Sequence, residues 1–596
     1  MANRKSQIAD RKSPFATRRS PFAVRHSPSF FLHSSFFILI LAFLTTMAAI
    51  AYFRDWAPSV ALYEAADGDM VDVARYLNHA DLTATTPYVA SLHYRHPTLA
   101  FLARDYQRIR WLTGGRTVVF PAEGSALLIF PRSASKDLAW VQSVLPEDAL
   151  VAAPPGPDGN PALRAYRSGP QPGLAPTQVL TANLANVALV LGYDVIGEPR
   201  SGERAEVAVW WRVLNVPAAG DYGPIARLAD GWGGVWGETE PFRYPSEQWT
   251  PGEVVVEHLT IPVAPGAPPG DYQVCFSLYS ASANSLLSVL DDGGRYAGTS
   301  VAFPVHLARA AAPPALDDLS MRTRLDVRLG GLTLLGARVD TASARPGERL
   351  FLTLFWRAGE APLPDTQVHL TVGETTLYAG APVHGTYPAS AWSSGEVVVD
   401  RYDARLPREM PPGDWPLRLR LEDTATGVAQ SPPLDLGVIT VQATERVFVV
   451  PPISHPLSAT LGSRLQLLGY DLSGDIAQPG DALTLTLYWR ALAEMGEDYN
   501  VFTHLLAADG AMAGQQDNPP VGGTYPTSLW LAGEVVTDVY VMPVRADATA
   551  GPHRLEVGMY VAETGARLPI TGTSNDSIFL QAVKVTDQPL DIQPKL

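Results

Sequence analysis

Pairs of carboxylates recur three times in this chain, inside copies of one phrase. The phrase is GTYPASAWSSGEVVVDRY at residues 385–402, GTYPTSLWLAGEVVTDVY at 523–540 and, in a looser copy, FRYPSEQWTPGEVVVEHL at 242–259. Each copy carries a glutamate and, four residues later, a second acid. The pairs are Glu396 with Asp400, Glu534 with Asp538, and Glu253 with Glu257. Two acids that flank a glycosidic bond are the machinery of glycoside hydrolysis.

Strand geometry argues against catalysis by these pairs. The run of valines after each glutamate predicts a β-strand, in which positions i and i+4 lie about 13 Å apart, at roughly 3.3 Å per residue. Glycosidases need carboxylates about 5 to 9.5 Å apart. We therefore expect the glutamate to cap the turn before the strand, and the second acid to lie on a solvated strand face.

The aromatic residues of the phrase are better candidates for binding. Each copy has a tyrosine followed five residues later by a tryptophan, and the pairs are Tyr244 with Trp249, Tyr387 with Trp392, and Tyr525 with Trp530. In a loop rich in proline and glycine, an exposed ring could stack on the face of a sugar. Alternatively, the tryptophan covers one end of a domain core. The sequence leaves both interpretations open.

Other candidates for chemistry are weak. His93 and His96 have a spacing that could bind a metal, but no third ligand is evident, and we interpret them as surface histidines. Asp517 and Asn518 could offer oxygens to calcium, but the matching segment of the preceding copy, YAGAPV, lacks the acid. We predict no metal, no cofactor and no catalytic residue, since short catalytic motifs are not found. The single cysteine, Cys275, forms no internal disulfide and is expected to be a buried small hydrophobe.

Composition narrows the class of protein. A formal net charge of −15 argues against nucleic acid as a partner, because binding phosphates requires clustered lysine and arginine. The 52 prolines and 49 glycines in 596 residues favour many short strands joined by turns. A chain of this length is expected to form several domains.

An apolar segment near the N-terminus predicts a membrane anchor. Residues 36–53 are uncharged and mostly apolar, and with the preceding residues they predict a transmembrane helix over 30–53. The basic residues of the tail, 1–29, which we expect to be disordered, place the N-terminus in the cytoplasm and the bulk of the chain outside. A signal peptide cleaved near residues 49–51 is the alternative.

Internal repeats define the organisation of the rest. Three alternating strands, SGERAEVAVWWRV, RPGERLFLTLFWRA and QPGDALTLTLYWRA, carry the matched tryptophans Trp211, Trp356 and Trp489. Their spacing suits whole domains. We predict a mainly β protein with one transmembrane helix, a small α/β domain (54–170) and three tandem immunoglobulin-like β-sandwich domains (178–308, 319–443 and 457–587), followed by a tail (588–596); a jelly roll fits the same pattern.

Two groups of segments resemble a known family. YFRDWAPSVALYEAADGDMVDVARYL, YVASLHYRHPTLAFL and RWLTGGRTVVFP resemble the extracytoplasmic C-terminal region of bacterial family 39 glycosyltransferases, which are related to protein O-mannosyltransferases. LTLYWRA, YNVFTHLLAADG and the repeated phrase are similar to the modules that follow in some of them. The resemblance implies a role beside a polytopic glycosyltransferase. The family's catalytic acids lie in an early loop that this chain lacks, so Asp55 receives no catalytic role.

These observations predict a membrane-anchored extracytoplasmic protein, non-catalytic by itself, that is an accessory part or fragment of such a glycosyltransferase in cell-envelope glycosylation. The alternative is a cell-surface β-sandwich protein that binds a carbohydrate or a protein. An enzyme would require a catalytic constellation that the sequence does not show.

Overall fold

The computed structural model describes residues 28–134, 138–170, 173, 175–217, 221–239, 244–280, 282–360, 362–562 and 564–587. The tail expected over residues 1–29 lies outside the described residues except for its last two positions, and the C-terminal tail, 588–596, lies outside them as well. Within the described residues the chain is mainly β, with one N-terminal apolar helix, a small α/β domain and three tandem immunoglobulin-like β-sandwiches.

The N-terminal helix spans Pro28–Ile50 and continues as a π-helical segment, Ala51–Trp56. Residues Phe36–Trp56 have a mean hydropathy of 2.4, and none of this stretch is buried inside the protein. A helix of this length and composition is sufficient to cross a bilayer.

The α/β domain is a mixed sheet with short helices. In sheet order, its strands are Arg110–Thr113, Thr85–Ser91, Ser125–Pro131, Leu163–Ser168 and Leu150–Ala152. The first three strands are parallel and the last two pairings are antiparallel. The α-helices are Val60–Ala65, Gly68–His79, Pro97–Leu102 and Ala139–Val144, with a 3-10 turn at Tyr106–Arg108. Helical spacing along Gly68–His79 places Met70, Val73 and Leu77 on one face, in the core.

The first sandwich borrows a strand from the α/β domain. Its larger sheet runs in the order Tyr296–Gly298, Val289–Leu290, Gln178–Leu184, Ala188–Ile196, Arg204–Val213, Val254–Pro262 and Thr117–Phe120. The last of these precedes the sandwich in the chain and pairs antiparallel with Val254–Pro262. The second sheet contains Val235–Glu238, Tyr222–Ala229, Gly270–Ser280, Ser285–Leu286 and Val301–Leu307. The α/β domain and the first sandwich therefore share one hydrophobic core.

The second and third sandwiches have the same topology. The four-stranded sheets are Thr323–Leu329, Leu332–Val339, Arg349–Ala358 and Val397–Arg405, and His455–Leu461, Leu465–Leu472, Ala482–Ala491 and Val535–Pro543. The five-stranded sheets are Ser343–Ala344, Leu434–Val441, Gly413–Asp423, Thr366–Val372 and Thr375–Gly380, and Ile476–Ala477, Ile578–Val585, Gly551–Val561, Tyr499–Leu506 and Met512–Asn518. In each, the first short strand pairs parallel with the last strand. Further 3-10 turns are Ser246–Gln248, Leu316–Asp318, Pro382–Gly385, Ala389–Ala391, Pro520–Gly523 and Thr527–Leu529.

Alternation along the central strands sets the cores. Leu483, Leu485, Leu487 and Trp489 are buried together, as the period-two pattern predicts. Trp211 and Trp356 occupy the same position in the other sandwiches and are fully buried. Cys275, by contrast, lies on the outer face of its strand and is half-buried, because Val274 and Phe276 take the core-facing positions.

A glycine in the second strand of each sandwich creates a bulge. The register shifts beside Gly192, Gly336 and Gly469. At Gly469 φ is 149°, and a Cβ atom would lie 2.5 Å from the carbonyl oxygen of His455. The neighbouring strand therefore comes too close for any side chain at this position.

Gly469→Ala is expected to lower the free energy of unfolding of the third sandwich by about 2 kcal/mol or more, because the backbone of His455 must move. Scanning calorimetry of the full chain measures the effect. Gly496→Ala is the matched control, since nothing lies within 4 Å of a Cβ there. Equal stability of the two variants would contradict this account of the bulge.

Candidate functional site

The repeated phrase folds in the same way in all three sandwiches. We call the residues from its tyrosine to its glutamate the corner: 244–253 is the first corner, 387–396 the second and 525–534 the third. Each contains a one-turn 3-10 helix that ends at the tryptophan. The glycine before each glutamate has φ between 75° and 91°, a left-handed conformation that only glycine adopts without strain. These glycines are Gly252, Gly395 and Gly533.

The tryptophans of the corners are core residues. Trp392 is 2% exposed and Trp530 is 0% exposed, and Trp249 is buried against Trp211. Each indole N–H donates to the backbone carbonyl of the tyrosine five residues earlier, over 3.0 to 3.1 Å. Tyr244 and Tyr387 are buried as well, and Tyr525 is partly buried. Five of the six candidate binding residues are thus buried and Tyr525 is partly buried, which favours the interpretation of the phrase as a structural feature.

The glutamate of each corner closes the turn from inside. Glu396 accepts hydrogen bonds from the Ser393 backbone N–H (2.7 Å) and the Tyr387 hydroxyl (2.9 Å). Glu534 and Glu253 make the equivalent pair of bonds in the other corners. The prediction that this glutamate caps the turn is confirmed.

An arginine from the preceding segment of the chain reaches each corner. Arg309, in the linker before the second sandwich, lies 3.1 Å from Glu396 and donates to the Tyr387 hydroxyl. Arg446, in the linker before the third sandwich, lies 2.7 Å from Glu534 and donates to the Tyr525 hydroxyl over 2.8 Å. Both also donate to a backbone carbonyl of the 3-10 turn.

The first corner receives its arginine from the α/β domain. Arg110, on the strand Arg110–Thr113, lies 3.2 Å from Glu253. The adjacent backbone N–H of Trp111 donates to the Gln248 side chain over 2.7 Å. The first corner therefore joins the first sandwich to the α/β domain, and the second and third corners each join their sandwich to the linker that precedes it.

Burial shifts the pKa values of ionisable residues at the corners. Burial raises the pKa of Glu253 despite the nearby Arg110 guanidinium. Burial also raises the pKa of Tyr387 to about 12. The third corner is the most enclosed, with side-chain exposures of 12% for Arg446 and 2% for Glu534, whereas Arg309 in the second corner is 42% exposed.

These arginines lie outside the repeated phrase and were not among the residues predicted from the sequence. A signal for two of them exists, because Arg309 precedes its tyrosine by 78 residues and Arg446 precedes its tyrosine by 79. Arg110 has no such signal, since the first corner is completed from a different domain.

The second acid of each phrase was expected on a solvated face, and this was wrong. Asp400, Asp538 and Glu257 are all buried. Asp400 accepts from the backbone N–H of Val383 (2.9 Å) and from the Tyr402 hydroxyl. Val383 has φ of 52° and lies in the 3-10 turn Pro382–Gly385, outside the strands. Its N–H therefore needs an acceptor other than a strand carbonyl. Asp538 plays the same part towards Val521 and Tyr540.

Desolvation raises the pKa of all three acids above the usual range of a carboxyl group. Burial raises the pKa of Asp400 to about 7 and that of Glu257 to about 8, and it raises the pKa of Asp538. Their hydrogen bonds to backbone and hydroxyl groups give these acids a structural role.

The remaining candidates also have local structural roles. His96 is buried, contrary to the expectation of a surface position, and its Nδ1 accepts from the Thr98 N–H at the start of a helix. Asp517 lies 3.6 Å from His504. Across the part of the chain that the structure describes, no group of three or more histidine, cysteine or acidic side chains is placed to hold a metal ion.

Comparisons with known proteins add little. No family model and no curated protein matches the chain. Among solved structures, a Corynebacterium diphtheriae protein described as membrane anchored matches with 10% identity, over 67% of this chain and 92% of that chain, at a TM-score of 0.13. A TM-score this low supports no conclusion about fold or function.

Arg446→Ala is expected to lower the free energy of unfolding of the third sandwich by about 3 kcal/mol, because it leaves the Glu534 carboxylate buried without its cation. Hydrogen exchange in Val535–Pro543, followed by mass spectrometry, reports the loss locally. Arg309→Ala is the matched comparison and should cost no more than about 1 kcal/mol, since Arg309 is 42% exposed. Similar losses of unfolding free energy in the two variants would contradict the expectation that a more buried ion pair stabilises its sandwich more.

The buried acids predict a pH dependence. An aspartate in the unfolded chain has a pKa of about 4, while Asp400 in the folded protein has a pKa of about 7. Between these values the unfolded chain releases a proton that the folded chain keeps, so stability falls as pH rises, by up to about 1.4 kcal/mol per pH unit. Below pH 4 this group contributes no further change. Urea unfolding of the second sandwich at pH 5, 6 and 7 measures the slope.

Asp400→Asn should reduce that slope, because the amide keeps an acceptor for the Val383 N–H but does not titrate. Asp414→Asn, at an exposed carboxylate of the same sandwich, should leave the slope unchanged. An undiminished slope in Asp400→Asn would rule out Asp400 as its source.

Proposed function

We propose that the chain is a membrane-anchored extracytoplasmic protein, non-catalytic by itself, that serves as an accessory part of a family 39-type membrane glycosyltransferase. The proposal that the chain is non-catalytic rests on the hydrogen bonds and ion pairs made by the acidic residues of the repeated phrase. The conspicuous carboxylates of the repeated phrase are bound by backbone N–H, tyrosine hydroxyl or arginine groups, which leaves them to hold the fold together.

The architecture supports a role as an arm that extends from a membrane. One apolar helix of sufficient length precedes the β-rich body, and successive units are joined through the arginine contacts at the corners. Fixed contacts between neighbours suit a protein that holds a surface at a set distance from the bilayer. The glycosyltransferase partner is proposed from the resemblance of the segments around residues 52–77 and 110–121 to that family's extracytoplasmic region.

Membrane topology is the first test. An alkaline phosphatase fused to the C-terminus of the full chain should be active, and a fusion after residue 27 should be inactive, because the apolar helix would place the two ends on opposite sides. Carbonate extraction should leave the full chain in the membrane. Activity of both fusions, or release of the intact chain by carbonate, would contradict a single-pass anchor.

Catalysis and partnership are tested separately. The purified full chain should transfer no sugar from a polyprenyl-phosphate-linked donor, and detectable transfer would overturn the non-catalytic assignment. The DNA immediately upstream should encode, in some frame, a run of transmembrane segments belonging to the proposed partner. Its absence there would count against the glycosyltransferase role while leaving the anchored architecture intact.

A further inference from the structure

A cavity of about 400 Å³ lies between the first and second sandwiches, beside the start of the second corner. The first sandwich contributes residues 230–236 and 268–272 to its walls, and the second contributes Val383, His384, Thr386 and Arg401. Its volume falls within the range of roughly 300–1,000 Å³ that is common for small-molecule sites, which occur preferentially at domain interfaces.

The exposed aromatic residue in the cavity wall is Trp232. Its side chain is 64% exposed, in contrast to the buried tryptophans of the corners. Asp230 holds its loop in place by accepting from the backbone N–H groups of Trp232 and Gly234, over 2.9 and 2.8 Å. The same carboxylate accepts from the Trp236 indole over 2.8 Å. The exposed ring is thus carried by a loop whose conformation is fixed from within.

The second sandwich supports this ring with a strained residue. The His384 imidazole lies against the Trp232 indole, with ring centroids 4.8 Å apart and planes tilted by 33°. His384 adopts φ of 50°, where the equivalent position in the third sandwich is Gly522 with φ of 61°. A left-handed conformation is strained for a non-glycine residue, and such residues cluster at ligand sites. The cost at His384 is explained if its ring is needed beside Trp232.

Polar groups surround the aromatic pair. The Asp271 carboxylate is exposed at the same cavity and is paired with His306 over 2.8 Å. Arg401 lies across the Trp236 ring, 3.7 Å from its centroid, and donates to the Val235 carbonyl. His384 Nε2 lies 3.0 Å from the Arg401 carbonyl oxygen, which requires that nitrogen to be the protonated one and makes Nδ1 the acceptor in the neutral ring.

We infer that this cavity binds a saccharide, with one pyranose ring stacked on Trp232. A pyranose has an apolar C–H face that suits an exposed indole, and hydroxyl groups at its edge that suit carboxylate, imidazole and guanidinium partners. Trp232 and Asp271 supply these two kinds of contact at one opening, and His384 fixes the position of the indole. The inference is independent of the proposed glycosyltransferase partner and of the membrane anchor.

The experiment uses the full chain in detergent and an array of di- to tetrasaccharides of glucose, mannose, galactose and N-acetylglucosamine. We expect retention on at least one of these glycans, with saturation-transfer NMR placing the protein contact on the C–H protons of one pyranose face. Trp232→Ala should weaken binding at least about tenfold through the loss of the stacking surface. Phe101→Ala, at an exposed aromatic residue outside the cavity, should leave binding unchanged.

His384→Gly separates binding from stability. Glycine relieves the left-handed strain but removes the imidazole and its hydrogen bond to the Arg401 carbonyl, so the unfolding temperature of the second sandwich should change little, while binding of the retained glycan should weaken about two- to tenfold. The inference is overturned if no glycan of the array is retained, or if retention is the same in Trp232→Ala and the unaltered chain. It is also overturned if His384→Gly leaves the affinity unchanged.

Discussion

The ion pair between the glutamate of a corner and an arginine from outside its sandwich is the interaction on which the arrangement of this protein depends. Removing a carboxylate from water is costly unless every oxygen finds a donor and the charge finds a cation. At the third corner, Glu534 meets this requirement with the Leu531 N–H, the Tyr525 hydroxyl and Arg446. The corner cannot be completed by its own sandwich, because its cation comes from the linker that precedes it.

This dependence makes the linkers part of the structure. Arg446 also donates to the carbonyl of Arg408 in the second sandwich, and Arg408 in turn donates to the Ser528 carbonyl of the third. Between the first and second sandwiches, Val399 donates to the Gly266 carbonyl over 2.8 Å. The α/β domain is joined more closely still to the first sandwich, because its strand Thr117–Phe120 pairs with an edge of that sandwich's sheet. Neighbouring units are therefore joined by hydrogen bonds as well as by the chain.

The three sandwiches have similar corners but differ in the residues beside them. All three corners bury their tryptophan and cap their turn with glutamate, yet only the second sandwich places a histidine, His384, where the third has Gly522. That substitution sets Trp232 against an imidazole at the interface. The position with the exposed indole thus lies outside the repeated phrase, in a loop that the repeat pattern does not single out.

The sequence by itself determined the apolar helix, the three sandwiches and the buried face of each central strand. These features follow from the periodicity and composition of short segments. Alternation of apolar and polar residues buries Leu483, Leu485, Leu487 and Trp489, and an uncharged run forms most of the helix that ends near Trp56. Only the tertiary structure decided which acids are buried and which cations meet them. Asp400 sits on a strand whose pattern looks solvated, and Arg110 meets Glu253 across 143 residues. Burial and charge pairing depend on what packs above a residue, and that neighbour comes from a distant part of the chain.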